Sequence, residues 1–145
     1  MNVLFFLTPK QDVAYLYNDC TLRQALEKME HHRYSCIPLI DRNGMYAGTI
    51  TEGDLLWEIK KRLPASTDDF DIVPISQVAR RSDYKAVCVT TSIEELLEAA
   101  LNENFVPVVD DRGVFIGIVT RKRILQHCFD QLGRVKPQSN DRPIL

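Results

Sequence analysis

Apolar positions in this chain change period twice, in the same order each time. Two apolar runs flank a short polar turn at 37–51, where Asp41, Arg42, Asn43 and Gly44 make the turn, and again at 106–120, around Asp110, Asp111, Arg112 and Gly113. Each predicts a β-hairpin. The copies are separated by a constant 69 residues, from Pro38 to Pro107, Gly48 to Gly117 and Thr51 to Thr120, and aliphatic positions exchange mostly among aliphatics. Ahead of each hairpin the period becomes helical. Leu22, Ala25, Leu26 and Met29 follow Thr21-x-x-Gln24, and Ile93, Leu96, Leu97 and Ala100 follow Ser92-x-x-Glu95. Both predict an amphipathic helix opened by a capping box. Short strands are expected before these helices, at 13–17 and 86–89. Second helices are expected after the hairpins, near 54–62 and 123–132, with Leu55 and Ile59, then Ile124 and Cys128, each pair on a single face.

Each unit thus reads β-α-β-β-α. At roughly 55 to 60 residues a unit is small for an independent core, so two should pack together. The expected divisions are 8–66 for the first repeat, 74–132 for the second, and a polar tail at 133–145. The stretch 64–75, with Asp68, Asp69, Asp71 and two prolines, reads as a solvated connection. The apolar run Val3–Leu7 suits core packing, a sheet edge or a dimer contact. Trp57 suits either helix packing between subunits or a cap on the core.

Composition narrows the function. The 145 residues carry 18 Lys and Arg against 20 Asp and Glu, a net charge of −2, and are 45% hydrophobic and 26% charged. Those values suit a globular chain and provide no global field for nucleic acid or an anionic membrane. The N-terminal apolar run is too short for a signal or membrane segment, so a cytoplasmic protein is expected. Four dispersed cysteines, Cys20, Cys36, Cys88 and Cys128, have neither disulfide-framework nor zinc spacing and read as free, mostly packed thiols. Cys36 with His31 and His32 is the one grouping of a nucleophile with a base. No oxyanion motif accompanies it, so no enzyme is expected and no cofactor or metal.

Candidate chemistry gathers where each hairpin meets its second helix. Thr51 ends a strand and opens a helix, so its hydroxyl and the first-turn N–H groups suit a phosphate. Asp54, three positions on, suits either both ribose hydroxyls or a cap of the same turn, the cap being worth about 1 kcal/mol without ligand. In the second copy Thr120, Arg121, Lys122 and Arg123 put Arg123 where the first has Asp54. Three cations at a helix N-terminus oppose its dipole. They fit a bound phosphate, a solvated patch, or pairing with Asp110 and Asp111. Gly48 and Gly117 interrupt aliphatic strands, which suits a bulge or a close approach by backbone or ligand.

The pattern h-P-h-h-D…G…h-G-h-h-T-x-x-D at 37–54, with its second copy at 106–123, resembles the tandem CBS-domain pair, the Bateman module, across nearly the whole chain. The resemblance implies an α/β (α+β) fold of two β-α-β-β-α repeats related by a pseudo-twofold, a homodimer, and clefts between the repeats that bind adenosine nucleotides. It implies adenine contacts at Ala14, Tyr15, Tyr34, Cys36 and Ile37 in one cleft, and at Ala86, Val87, Asn104, Phe105 and Val106 in the other. Tyr34 and Phe105 suit base stacking or the core, Phe105 the core. The strand at 12–16, Tyr34 and Thr120-Arg121-Lys122 are similar to those of bacterial members that bind cyclic di-AMP. A stand-alone regulatory sensor is therefore expected, binding AMP, ADP, ATP or cyclic di-AMP and signalling to a regulated protein. A ligand-free dimerisation or protein-interaction module is the alternative.

Overall fold

The computed structural model describes residues 2–64, 67–81 and 83–133. In chain order its strands are β1 (Thr8–Pro9), β2 (Leu16–Tyr17), β3 (Cys36–Ile40), β4 (Tyr46–Thr51), β5 (Val87–Cys88), β6 (Phe105–Val109) and β7 (Phe115–Thr120). Its helices are α1 (Leu22–His32), α2 (Glu52–Arg62), α3 (Ile93–Asn102) and α4 (Arg121–Gln131). The chain is a mixed α+β protein with two sheets, divided into two compact units. One unit runs from Ala14 to Asp83, and the other joins Met1–Val13 to Tyr84–Leu145.

In the unit Ala14–Asp83 the sheet order is β2-β3-β4, with β2 parallel and β4 antiparallel to β3. The turn between β3 and β4 is closed by Asp41, whose Oδ1 accepts from the N–H groups of Asn43 and Met45. Helix α1 begins as its sequence requires: Thr21 Oγ1 accepts from Gln24 N and Gln24 Oε1 from Thr21 N. Its face of Leu22, Ala25 and Met29 packs with Ile37, Leu39, Ile50 and Leu55, and Ile59 lies against the same core. The stretch 64–75 departs from the expected solvated connection. Val73 and Ile75 are buried in this core, Leu22 N donates to Val73 O at 2.8 Å, and Ile75 N donates to Cys20 O at 2.7 Å. An ion pair of Arg23 with Asp71 ties its acidic part to α1. The acidic residues disguise a segment whose Val73 and Ile75 side chains close the core.

The other unit repeats the plan with an addition. Its sheet order is β1-β7-β6-β5, the hairpin and its parallel partner matching the first unit and β1 pairing antiparallel with β7. Asp110 closes the turn as Asp41 does, accepting from Arg112 N and Val114 N. The core combines Leu96, Ala100, Val106, Val108, Val119 and Ile124 with Val3 and Phe6. Of the three readings of the run Val3–Leu7, core packing holds for Val3 and Phe6, while Leu4 and Phe5 are exposed. The His127 ring meets those of Phe5 and Phe6 edge-on, at 5.4 and 5.3 Å between centroids, which holds this arm on α4.

Three further expectations are corrected. Of the stretches 13–17 and 86–89 only Leu16–Tyr17 and Val87–Cys88 pair, each with one parallel neighbour. The box at α3 is half formed, Ser92 Oγ accepting from Glu95 N. Cys128 is exposed on α4, where Ile124 alone is buried. The tail beyond Gly133 lies outside the described residues.

Both hairpins carry a bulge at the same place. Leu39 pairs Gly48 but Ile40 pairs Tyr46, and Val108 pairs Gly117 but Val109 pairs Phe115. Gly48 and Gly117 adopt φ of +143° and +155°, which side chains rarely tolerate. A Cβ on Gly117 would stand 2.2 Å from Thr8 O, and one on Gly48 2.5 Å from Asp83 Oδ1. Bulge and close approach therefore hold together, and what approaches is protein.

Candidate functional site

Each unit holds one of the two expected sets of residues. In the first, Ala14 and Tyr15 lie just before β2, Tyr34 just before β3, Cys36 and Ile37 open β3, and Thr51 and Asp54 form the start of α2. In the second, Ala86 precedes β5, Val87 is in it, Asn104 precedes β6, Phe105 and Val106 open it, and Thr120 to Arg123 start α4.

The helix starts are built alike. Glu52 N donates to Ser35 O at 2.9 Å, and Arg121 N to Asn104 O at 2.9 Å, so each helix is tied to the strand entering its hairpin. Thr51 Oγ1 accepts from Asp54 N at 3.1 Å, and Thr120 Oγ1 from Arg123 N at 3.1 Å. These bonds satisfy two donors that a helix start leaves open. They also hold the threonine and the first helical turn beside the backbone at Ser35 and Asn104.

Beyond that shared frame the copies diverge. Asp54 returns the cap, its Oδ2 accepting from Thr51 N at 3.0 Å, and its Oδ1 accepts from Arg81 N at 3.1 Å. The side chain is 6% exposed. The capping role of Asp54 is therefore formed here. In the second copy no carboxylate occupies this place, and Lys122 and Arg123 are exposed and in no ion pair among the described residues. The expected group of three cations is reduced to two. Arg121 turns back, its Nε donating to Ala100 O at 2.9 Å, where a cation suits the C-terminal end of α3. Asp110 is taken by its own turn, with Arg112 at 4.0 Å.

The aromatic candidates also separate. Tyr34 is half-buried against the core with the His32 ring stacked on it at 5.1 Å, and burial raises its hydroxyl above the ordinary tyrosine range. Tyr15 is half-buried, meets Tyr17 edge-on at 5.8 Å, and has Lys28 Nζ 5.6 Å from its ring centre. Phe105 is fully buried beside Tyr84 and belongs to the core. Cys36 and Ile37 are buried, so only their backbone suits contact with a base. His31 and His32 are exposed while Cys36 is buried. Trp57 is exposed on α2.

Sequence reasoning missed four polar residues beside these sets. Arg80, Arg81 and Asp83 meet β4 and the start of α2, and no spacing rule marks them. Glu103, next to Asn104, has a buried Oε2 without a hydrogen-bond partner, and burial raises its carboxyl above the ordinary range. Among the described residues no cluster of His, Cys, Asp and Glu is placed to hold a metal, and no helix is long and apolar enough to cross a membrane.

The CBS-domain model matches residues 7–61 and 75–130, and the chain belongs to that family as a tandem pair. It is 28% identical over 127 residues to a CBS domain-containing protein of Dictyostelium discoideum, covering 83% of this chain and 88% of that one. A homoserine O-acetyltransferase of Methanohalophilus mahii is 26% identical over 114 residues, 79% of this chain, but the match spans 22% of that protein's length. Among solved structures, a CBS domain protein of Streptococcus pneumoniae aligns with TM-score 0.80 at 28% identity, over 89% of this chain and 87% of that one. Listeria monocytogenes CbpB in complex with c-di-AMP aligns with TM-score 0.78 at 21% identity, over 90% and 97%. CBSX2 in complex with AMP aligns with TM-score 0.73 at 24% identity, over 90% and 98%.

Proposed function

We propose that this protein is a regulatory module that binds an adenine nucleotide without transforming it and reports occupancy to a partner protein. One observation carries the reading. The capped start of α4 presents Lys122 and Arg123 exposed and without an acidic partner among the described residues. Cations there oppose the helix dipole and gain from an anion that answers both. The fold's occurrence in proteins solved with c-di-AMP and with AMP supports adenine and phosphate as the ligand's chemistry. In this reading Thr120, Lys122 and Arg123 take phosphate, and Arg121 positions the turn. The backbone at Ala86, Val87, Asn104 and Val106 takes the base. Ala14, Tyr15, Tyr34, Cys36 and Ile37 do so in the first unit, where Thr51 faces phosphate and Asp54 ribose. The module works as a homodimer inside the cytoplasm, and its ligand acts by preferring one of two conformations.

The test is calorimetry on nucleotide-stripped protein with AMP, ADP, ATP, cyclic di-AMP and S-adenosylmethionine. One ligand is expected to bind and to raise the melting temperature with concentration. The double variant Lys122→Ala, Arg123→Ala should lose about tenfold or more in affinity, since a charge-assisted hydrogen bond contributes about 1.5–3 kcal/mol. Silence across the panel would favour the second reading, a ligand-free interaction module. That reading draws on the exposed Leu125, Phe129 and Leu132 of the α4 region.

A further inference from the structure

Asp54 has two employments, and only one is a helix cap. Its Oδ2 bond to Thr51 N closes the cap, whereas its Oδ1 accepts from Arg81 N, 27 residues further along the chain. Beside that bond Arg80 Nε and Nη2 donate to Asp83 at 2.6 and 3.1 Å. Asp83 Oδ1 also accepts from Thr49 N at 3.2 Å, and Arg80 Nη2 donates to Ala47 O at 3.4 Å. The pair rests over Gly48, where any Cβ would collide with both side chains. Arg80, Arg81 and Asp83 are thus held on β4 and the start of α2 by polar bonds. Arg81 and Asp83 are exposed and Arg80 is partly buried, so solvent screens the ion pair in part.

A ribose presents two adjacent hydroxyls, and a carboxylate answers them with both oxygens. Here both oxygens are engaged and the side chain is almost covered. We propose that the Arg81 N–H bond to Asp54, backed by the Arg80–Asp83 pair seated on β4, forms a latch that a ribose diol must displace, so that nucleotide binding at the first unit frees the opening residues of the second repeat. The inference rests on the reading of Asp54 as the ribose contact. It gives that contact a consequence: the atom that recognises ligand is the atom that anchors the opening residues of the second repeat.

Amide NMR on the full chain separates the two ideas, with AMP as probe. The Gly53 amide reports occupancy of the α2 start, and hydrogen exchange at Arg81 reports the latch. Saturating AMP is expected to shift Gly53 and to speed exchange at Arg81 by about tenfold. Asp83→Ala, which leaves Asp54 and Thr51 intact, should bind AMP about three to ten times more tightly, as expected when a competing polar contact or two is lost. Asp54→Asn should speed Arg81 exchange without ligand. If AMP shifts Gly53 and loses affinity in Asp54→Asn while Arg81 exchange and the Asp83→Ala affinity stay unchanged, the latch is wrong and the ribose reading stands. If neither wild type nor Asp83→Ala shows a Gly53 shift with AMP, both fall. Binding to Asp83→Ala alone would support a latch that outcompetes the ligand.

Discussion

At the scale of single residues, environment sorts groups that look equivalent in the sequence. The four cysteines are all free thiols, yet burial pushes the Cys20 thiol up to about 11, and Cys36 is buried outright. Hydrogen bonds from the Thr90 N–H and hydroxyl lower the Cys88 thiol below its ordinary value, and Cys128 stands exposed on α4. Thiolate fraction and access govern alkylation. Iodoacetamide at pH 8 should therefore label Cys88 and Cys128 first, and Cys20 and Cys36 only on a slower timescale. Peptide mass spectrometry over a time course checks this, and early labelling of Cys36 would contradict the packing of β3. Asp54 and Arg123 show the same sorting at the site. Both sit three residues after a capping threonine, and one is buried in hydrogen bonds while the other is exposed.

At the scale of elements, the glycine of each bulge admits a different neighbour. Gly48 lies under the Arg80–Asp83 pair, side chains that can swing away, whereas Gly117 lies under Thr8 O and Pro9 Cα, a backbone strand. Gly117→Ala should therefore be the more damaging change. Backbone strain alone costs about 1–3 kcal/mol, and the clash at β1 adds to it. Urea unfolding should show the larger loss for Gly117→Ala, and proteolysis should release the N-terminal arm faster. Equal losses for Gly48→Ala would mean that strain, and not the strand above it, sets the cost. The hairpins, helix starts and turns were legible because each is decided by neighbours in the chain: Asp41 and Asp110 close their own turns, and Thr21, Thr51 and Thr120 cap their own helices. Strand β1 was not legible, since two residues carry no period and its pairing depends on an edge that β7 leaves open.

At the scale of the whole molecule, apolar side chains remain on the helices. Leu125, Phe129 and Leu132 recur at i, i+4 and i+7 around α4, and Leu56 and Trp57 are exposed on α2. Such surface costs solubility unless covered, and the homodimer proposed for this protein would cover it. Leu125→Asp with Phe129→Asp should convert a dimer to a monomer in light scattering while the far-ultraviolet circular dichroism stays unchanged. A wild type that is monomeric at tens of micromolar would remove these residues from any self-interface.

The sequence by itself determined the β-α-β-β-α order and the helix starts, because periodicity, caps and turns act over short stretches of chain, and the twice-repeated motif carried the resemblance to the family. The tertiary structure alone decided that Val3 and Phe6 complete the core of the second repeat, that Val73 and Ile75 complete the first, and that Arg121 leaves the cation group for Ala100. It also decided that Asp54 holds Arg81. Each of these is a contact between segments far apart in the chain, and a carboxylate or an aliphatic side chain carries no local mark of the distant partner that will satisfy it.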